Sequence, residues 1–412
     1  MTWQRRRLKH LAAIRVSNVD KKAANDEIPV RLVNYTDVYY HDRLSPDMGL
    51  MSASASAGQA AAFRLYEGDV VITKDSETPD DIGVASFVDQ AADDMVCGYH
   101  LAVLRPLADA IDGHYLFWAM SSDVARKQLS AGATGVTRFG LRLDVIGSVE
   151  LPAPPLHAQR AIADFLDAET ARIDALIAKK RRMIELLEER WERLVLDTVS
   201  GRWLGSSVRW TLDVPPGFGE LPDHWPVRTV WTLFRSGRGR VLSHEEIAAN
   251  PGPYPVYSSQ TANDGRMGSI DSFDFDGEYL TWTTDGANAG TVFHRTGKFN
   301  CTNVCGTLQA SEDLDYRFMR HALSVATRWF VRQDINPKLM NDVMLSIRVP
   351  APRVEVQRQA ADRIESEATA RAAVWGLLEN QLGLLAERRQ ALITAAVTGE
   401  LDVAESIAEE AS

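Results

Sequence analysis

Cysteine is scarce in this 412-residue sequence, which holds only Cys97, Cys301 and Cys305. Three thiols so unevenly placed exclude a disulfide-stapled secreted fold and point to a reducing compartment. Cys301 and Cys305, with His294 and His321 not far along the chain, match the spacing of no common zinc site, so no metal is expected. Long apolar runs are missing as well. The start, MTWQRRRLKHLAAIRVSNVD, is basic, but Arg15 interrupts it before an apolar leader develops, and no later segment approaches the length of a membrane span. A cytoplasmic chain without membrane contact is the expectation.

Catalytic motifs are equally scarce. Gly290 and Gly297-Lys298 have the wrong spacing for a phosphate loop, and Phe299 stands where Ser or Thr would hold magnesium. No GxGxxG opens a helix after a strand, and neither a GxSxG elbow nor an HExxH pair occurs. The sequence therefore predicts no catalytic residue and no cofactor site in this chain: a reader rather than a catalyst. Composition is otherwise ordinary for a globular protein, with 45% hydrophobic residues. The net charge of −11 argues at first against a polyanionic partner, yet the segment from 349 onward carries 6 basic against 11 acidic residues, so the acidity is partly a property of the C-terminal end.

What the sequence does contain is a repeat. Residues 151–201 return without a gap as residues 349–399. Pro152, Ala153, Pro154, Gln159, Arg160, Ala163, Asp164, Glu169, Leu186, Leu187, Glu189, Arg190, Leu194, Val199 and Gly201 each recur 198 positions later. Each copy opens on prolines, which lead into a helix but cannot continue one. Beyond them Ile173, Ile177, Lys180, Ile184, Leu187, Trp191 and Leu194 step by fours and threes, as do Trp375, Leu378, Leu382, Leu385, Arg389 and Leu392 in the second copy. Two helices with one apolar stripe each need partners, and the simplest solution is that they pack on each other, antiparallel. A helix of about 40 residues is roughly 60 Å long, a rod able to hold two domains a set distance apart.

The rest of the chain divides accordingly: domains at 1–150 and 208–348, helical spacers at 151–207 and 349–400, and an acidic tail at 401–412. Both domains show short β-type runs broken by turn residues, such as FRLYEGDVVITK and GEYLTWTTDG, and read as mixed α/β folds. SASASAGQAAAF, 52–63, reads as a loop. The domains are diverged copies: Trp3, Arg6 and Leu11 correspond to Trp225, Arg228 and Leu233, and Asp112, Tyr115 and Phe117 to Asp313, Tyr316 and Phe318.

Candidate base-reading residues are those that bridge base edges, Arg for guanine and Asn or Gln for adenine, with Ser, Thr and Tyr beside them. In the first domain these are Asn34, Tyr35, Thr36 and Tyr39, then Thr134, Thr137, Arg138 and Arg142, with the basic Arg5 and Arg6 near the start. In the second they are Arg235, Arg238 and Arg240 on a glycine-loosened loop, Tyr257, Ser258, Ser259 and Gln260, then Thr284, Asn288, Asn300, Thr302, Asn303 and Lys338. The alternative reading of each stretch is turns and caps, the usual work of Asn, Thr and Gly.

The run PxPP-xxxQ-xxIAxFLDxExxxIDxLIxxKxxxIxLLxExxxxLxxxxVxG of residues 152–201 resembles the conserved spacer of type I restriction-modification specificity subunits, and the two flanking domains are similar to that family's target recognition domains. The second spacer departs at Arg353, Arg363 and Gly376, where the first has Pro155, Phe165 and Ala178, which implies a looser helix start or unequal partner contacts. The resemblance implies an α+β architecture, two mixed α/β target recognition domains separated by two long helices paired as an antiparallel coiled coil with pseudo-two-fold symmetry. It implies that each domain reads half of a bipartite, asymmetric site in double-stranded DNA, with the rod setting the gap. Two modification (methyltransferase) subunits and the restriction (translocase and nuclease) subunits are then the protein partners, and S-adenosylmethionine, ATP and magnesium belong to them. A coiled-coil scaffold that never touches DNA is the other reading, favoured by the acidic charge.

Overall fold

The protein, described here from a computed structural model, is defined over residues 3–22, 24, 26–205, 210–211, 214–332 and 335–403. The expected first spacer (at 206–207) and acidic tail (from 404) lie partly outside these residues. Two compact units result: residues 1–181 with 379–412, and residues 182–378.

In the first unit the strands are β1 (Arg5–Arg7), β2 (Ala12–Val16), β3 (Ile28–Val33), β4 (Arg43–Leu44), β5 (Met51–Ala55), β6 (Val70–Thr73), β7 (Asp75–Ser76), β8 (Ala85–Val88), β9 (Met95–Cys97), β10 (Leu101–Pro106), β11 (Thr134–Gly135), β12 (Phe139–Gly140) and β13 (Glu150–Pro152). The helices are α1 (Tyr35–Tyr40), α2 (Ala57–Phe63), α3 (Gly113–Ser121), α4 (Asp123–Gly132), α5 (Leu143–Ser148) and the start of α6 (Leu156–Val199). A five-stranded sheet runs β2-β10-β6-β8-β4, a second runs β5-β3-β9, and β11, β12 and β7 form a third. The run VVIT of β6 is buried on both faces, as a continuous β-branched segment in the middle of a sheet should be.

In the second unit the strands are β14 (Trp210–Thr211), β15 (Leu221–Pro222), β16 (Val227–Thr229), β17 (Phe234–Arg238), β18 (Pro251–Tyr257), β19 (Arg266–Ile270), β20 (Phe275–Thr283), β21 (Val292–Cys301), β22 (Cys305–Ala310) and β23 (Arg348–Pro350). Its helices are α7 (Val230–Leu233), α8 (His244–Ala249), α9 (Tyr316–Thr327), α10 (Asn341–Ser346) and much of α11 (Val354–Thr398). The main sheet runs β17-β22-β20-β21-β18-β19. No helix among the described residues is long and apolar enough to cross a membrane.

Two local expectations are corrected. Residues 52–63 are not a loop: the chain pairs as β5 with β3 and then turns into α2, because Ser56 accepts from the Gln59 N–H and Gln59 Oε1 accepts from the Ser56 N–H, the reciprocal bonding that starts a helix. Arg235 and Arg238 lie not on a loosened loop but on β17, in register with β22.

The repeat becomes a shared frame. β1 pairs with β13 so that Arg6 faces Leu151, and β16 pairs with β23 so that Arg228 faces Val349, the residue 198 positions beyond Leu151. α6 and α11 start 198 residues apart despite Arg353 in place of Pro155, and each is followed by a left-handed glycine, Gly201 and Gly399. Arg353 in place of Pro155 therefore does not move the helix start. The contacts are unequal at one of the three departures: Phe165 packs against the core whereas Arg363 is exposed.

In each frame a buried glutamine ties spacer to domain. Gln159 Oε1 accepts from the Asp112 N–H at 2.7 Å while its Nε2 donates to the Pro154 carbonyl at 2.7 Å. Gln357 Oε1 accepts from the Asp315 N–H at 3.0 Å and its Nε2 donates to Pro352 at 2.7 Å. Asp112 and Asp315 in turn cap α3 and α9 through their carboxylates. The structural counterpart of Asp112 is thus Asp315, two residues beyond the Asp313 that alignment of the Tyr and Phe positions suggests.

The spacer helices pair antiparallel within each unit. In the first, Asp174 meets Arg389 at 3.0 Å and Lys180 meets Gln381 at 2.6 Å, numbers rising on α6 as they fall on α11. In the second, Glu188 pairs with Arg371, whose guanidinium lies between the Trp191 and Trp375 rings, and Val195 and Val199 share a core with Ala360, Ala361 and Ile364. Between 174 and 194 Ile177, Lys180, Ile184, Leu187, Trp191 and Leu194 are half-buried while the residues between them are exposed, and Ile173 before them is buried. On α11, Trp375, Leu378, Leu382, Leu385 and Leu392 are buried or half-buried.

Replacing Gln159 or Gln357 by Leu leaves a buried N–H and a buried carbonyl unpaired and is expected to cost about 2–4 kcal/mol in either unit; urea unfolding followed by tryptophan fluorescence measures this, and a loss below about 0.5 kcal/mol would mean that the glutamines are incidental. His321 on α9 packs edge-on to Trp191, and burial, reinforced by Arg320, lowers its pKa to about 4. Its neutral form is the one the fold accepts, so stability is complete above the ordinary value near 6.5 and falls as pH drops from about 6.5 to about 4. His321→Phe is expected to flatten that part of the unfolding-versus-pH curve, and an unaltered slope would assign the acid sensitivity elsewhere.

Candidate nucleic-acid interface

In the first unit the helix α1, the strand β7 with the turn after it, the Tyr99–His100 segment and the β11–β12 hairpin converge on a cleft of about 600 Å³. Tyr35, Thr36, Tyr39, Thr137 and Arg138 all line it. Asn34 does not. It is buried and stands at the N-cap of α1, where its N–H donates to Asp37 at 2.7 Å, so this residue starts the helix that presents its neighbours. Along α1 the Tyr35 and Tyr39 rings stack at 5.4 Å, with Tyr40 edge-on to Tyr39 at 4.9 Å.

The electrostatics of the cleft are mixed rather than uniformly basic. The Tyr39 hydroxyl donates to Asp81 at 2.7 Å, and that bond, with burial, pushes its pKa up to about 12. Tyr35 is raised as well, by burial. Burial favours the protonated form of Asp75, but bonds from His100 at 2.7 Å and Lys74 at 2.9 Å outweigh it and hold the carboxyl below its usual range. Arg138 is exposed at the rim and forms no ion pair among the described residues. The cleft thus offers aromatic faces, a free guanidinium and carboxylate acceptors, the set that meets base edges in a groove. Lys21, Tyr40, Glu77, Asp81, Tyr99 and His100 line it too, and sequence reasoning missed them because they come from separate segments.

The remaining first-unit candidates are placed differently. Thr134 is exposed on the same hairpin, while Arg142 is held by Asp144, with Nε to Oδ1 at 2.9 Å. Arg5 and Arg6 lie on β1, within the frame and not among the cleft-lining residues.

In the second unit the candidates gather at strand ends. Thr302 N–H donates to the Tyr257 carbonyl at 2.8 Å and its hydroxyl to Ser258 at 3.2 Å, Arg238 Nε reaches the Asn303 carbonyl at 2.8 Å, and Arg240 bridges to Thr302. Lys338 pairs with Asp285 at 3.4 Å, next to Thr284, and Asn288 Nδ2 contacts the Ser259 carbonyl at 3.5 Å. Their availability differs. Thr284, Asn300 and Thr302 are buried, Ser258, Ser259 and Asn288 are half-buried, and Arg240 is engaged by Glu246 at 2.7 Å and Asp274 at 3.0 Å. Tyr257 has its face covered by Arg295, 3.7 Å from the ring centroid, which is itself buried and paired with Asp264. Arg235, Gln260 and Asn303 are exposed.

The cysteines are all buried with free thiols, and among the described residues no group of three or more His, Cys, Asp or Glu side chains is placed to hold a metal ion.

Comparison with known proteins gives the family. The profile of the type I restriction modification DNA specificity domain matches residues 1–186 and 222–367. A Mycoplasma pneumoniae chain named as a type I specificity subunit is 33% identical over 220 residues, 53% of this chain and 80% of its own length. The N-terminus of another from the same organism is 44% identical over 131 residues, 31% of this chain and 70% of its own. A solved structure reported for complex assembly and conformational transition of the type I R-M system superposes with a TM-score of 0.67 at 16% identity, covering 97% of this chain and 98% of that one, a likeness of fold. Two matched segments, a shared α+β fold and relatives covered over most of their length lead to one assignment: the chain belongs to the type I restriction-modification DNA specificity family, the non-catalytic specificity subunits of those systems.

Proposed function

We propose that this specificity subunit reads a split, asymmetric site in double-stranded DNA, each unit contacting one half and the paired spacers setting the gap between them. The observation that carries this reading is the pairing of one shared frame with two unlike surfaces. The frame of β1 with β13 and of β16 with β23 is the same in both units, whereas the cleft beside α1 and the strand ends around Tyr257 are built from unlike elements and unlike sets of residues. Two unlike readers on one repeated support give a non-palindromic target.

In this reading two modification subunits dock on the chain and supply the S-adenosylmethionine chemistry, while restriction subunits bring ATP and magnesium, and the assembly works in the cytoplasm. Among the candidate cations, Arg5, Arg6, Arg138, Arg235 and Arg238 are exposed without an ion pair among the described residues, and Arg138 is the one that lines the cleft. The scaffold alternative gains nothing from the exposed polar clusters, which a purely structural coiled coil does not require.

The test is the adenine methylome of a naive host expressing this chain with its modification subunit. A new split motif with a constant gap is expected, and a stable complex that adds no methylation would favour the scaffold. Deleting one heptad from both spacers, 177–183 and 375–381, shortens the pair by about 10 Å and is expected to reduce the gap by about three base pairs with both half-sites intact; an unaltered gap would refute the spacer's role as a ruler. Arg138→Ala is expected to relax one position of one half-site, at a cost of about 1–3 kcal/mol for the cognate base. Equal weakening on every sequence, with a shallower salt dependence, would make Arg138 a phosphate contact instead.

A further inference from the structure

The second frame carries a concentration of charge that the first does not. Where the end of α6 meets the start of α11, a cavity of about 340 Å³ is lined by Arg190 and Arg193 on α6, Arg202 just beyond Gly201, and Arg363 on α11. Their counterparts at the 198-residue period are Arg388, Ala391, Glu400 and Phe165. Asp197, the carboxylate that lines the cavity, corresponds to Ala395. Four guanidiniums therefore meet one carboxylate in the second frame, where the first has one cation, one anion and apolar side chains, with Phe165 packed against the core.

Like charges gathered on one wall repel, so this arrangement costs the fold something unless an anion answers it. Asp197 answers two of the four. It accepts from Arg193 Nε at 3.0 Å and from Arg202 at 2.7 Å, and Glu220 is a further 3.7 Å neighbour of Arg202. Arg190 and Arg363 are exposed and form no ion pair among the described residues. The wall beneath them is fixed: Leu194 and Trp203 pack against the core of this unit, and Trp203 Nε1 donates to the Thr198 carbonyl at 3.1 Å. A smaller cavity shares Arg190 and Leu194 with the first and is lined by Arg371, whose Nε–H is buried without a hydrogen-bond partner. Donors in excess of acceptors are thus found twice in one place.

A guanidinium is charged at every working pH and presents parallel N–H donors that match the oxygens of a phosphate group. We infer that this cavity is a phosphate site belonging to the second unit, with Arg190 and Arg363 as its free ligands and with Arg193 and Arg202 held in place by Asp197. The phosphate is either a phosphodiester of the duplex backbone or the phosphate of a soluble compound. The first source rests on the DNA reading proposed above, to which it adds a sequence-independent grip on the spacer beside one half-site.

The experiment uses the complex of the full chain with its modification subunits. The double variant Arg190→Gln, Arg363→Gln removes the two unpaired cations, and because both side chains are exposed and unpaired it does not threaten folding. Binding to a duplex bearing the mapped split site is followed over a salt series. If the duplex supplies the phosphate, the variant binds about three- to tenfold more weakly at low salt, the slope of log K against log salt becomes shallower by about one, and the methylated motif and its gap stay the same. If a soluble compound supplies it, the slope is unaltered, and inorganic phosphate titrated calorimetrically into the complex without DNA binds the unmodified chain and not the variant. Arg388→Gln, the counterpart change in the first unit, is expected to alter neither readout; an equal effect there would reduce the cavity to general surface charge and overturn the site. A double variant with unaltered slope and unaltered phosphate binding also overturns it, as does a defect confined to assembly with the modification subunits, which would assign the cavity to an acidic protein segment. A complex that binds phosphate here but no duplex overturns the DNA reading and leaves the site standing.

Discussion

Everything in this molecule hangs on two buried amide side chains. Gln159 and Gln357 each satisfy one carbonyl in the prolines that begin a spacer and one N–H at the start of a domain helix, a helix whose remaining free N–H groups are closed by Asp112 or Asp315. Because the partners are backbone groups in a core, geometry is tightly constrained: an amide that bonds at both ends leaves its helix few ways to turn. The angle at which a spacer leaves its domain is thereby set by a side chain that survives unaltered in both repeats. Around this joint the two units lay down the same two-stranded pairing, and beyond it they diverge.

The frame was legible because it is periodic. Prolines, a glutamine, an apolar stripe in steps of three and four and a terminal glycine each have one reading on a helix, and their recurrence at 198 residues removes coincidence. The domains were less legible because their polar residues have two readings. Asn34, Thr284, Asn300 and Thr302 have the composition of a recognition surface yet lie buried, Asn34 at a cap and Thr302 in a bond to a carbonyl. Short polar side chains bond backbone as readily as they bond a ligand, and sequence does not say which. The stretch 52–63 misled for a related reason: small residues suit a loop, but Ser56 and Gln59 close a helix start. The glycines of 235–240 similarly suggested a loop where β22 supplies a partner and makes a strand. What no local pattern reveals is the cleft itself, assembled from five separate segments between Lys21 and Arg138.

The acidic composition turns out to act locally. Arg142, Arg240 and Lys338 are each matched by a carboxylate within a few ångströms, whereas Arg5, Arg6, Arg138, Arg235 and Arg238 are not among the paired residues described. A surface that neutralises some of its cations has less general attraction for phosphate. More of its affinity then rests on fit at particular positions, and for a protein whose task is to discriminate between sequences that balance favours selectivity over grip.

The division into units also bears on how the protein is made. The core of the first unit includes Ile393, Ala396 and Val397, and the Tyr115 hydroxyl donates to the Val397 carbonyl at 3.4 Å, so residues near the beginning of the chain close around residues near its end. The second unit is drawn from 182–378 alone. On a ribosome adding about 5–20 residues per second, the nearly 200 residues from 181 to 379 take on the order of 10–40 s, during which the earlier segment waits with an incomplete core while the later one can finish. Synthesis order and folding order are therefore reversed, and the nascent chain spends that interval with apolar surface on α3 that only the last helix can cover.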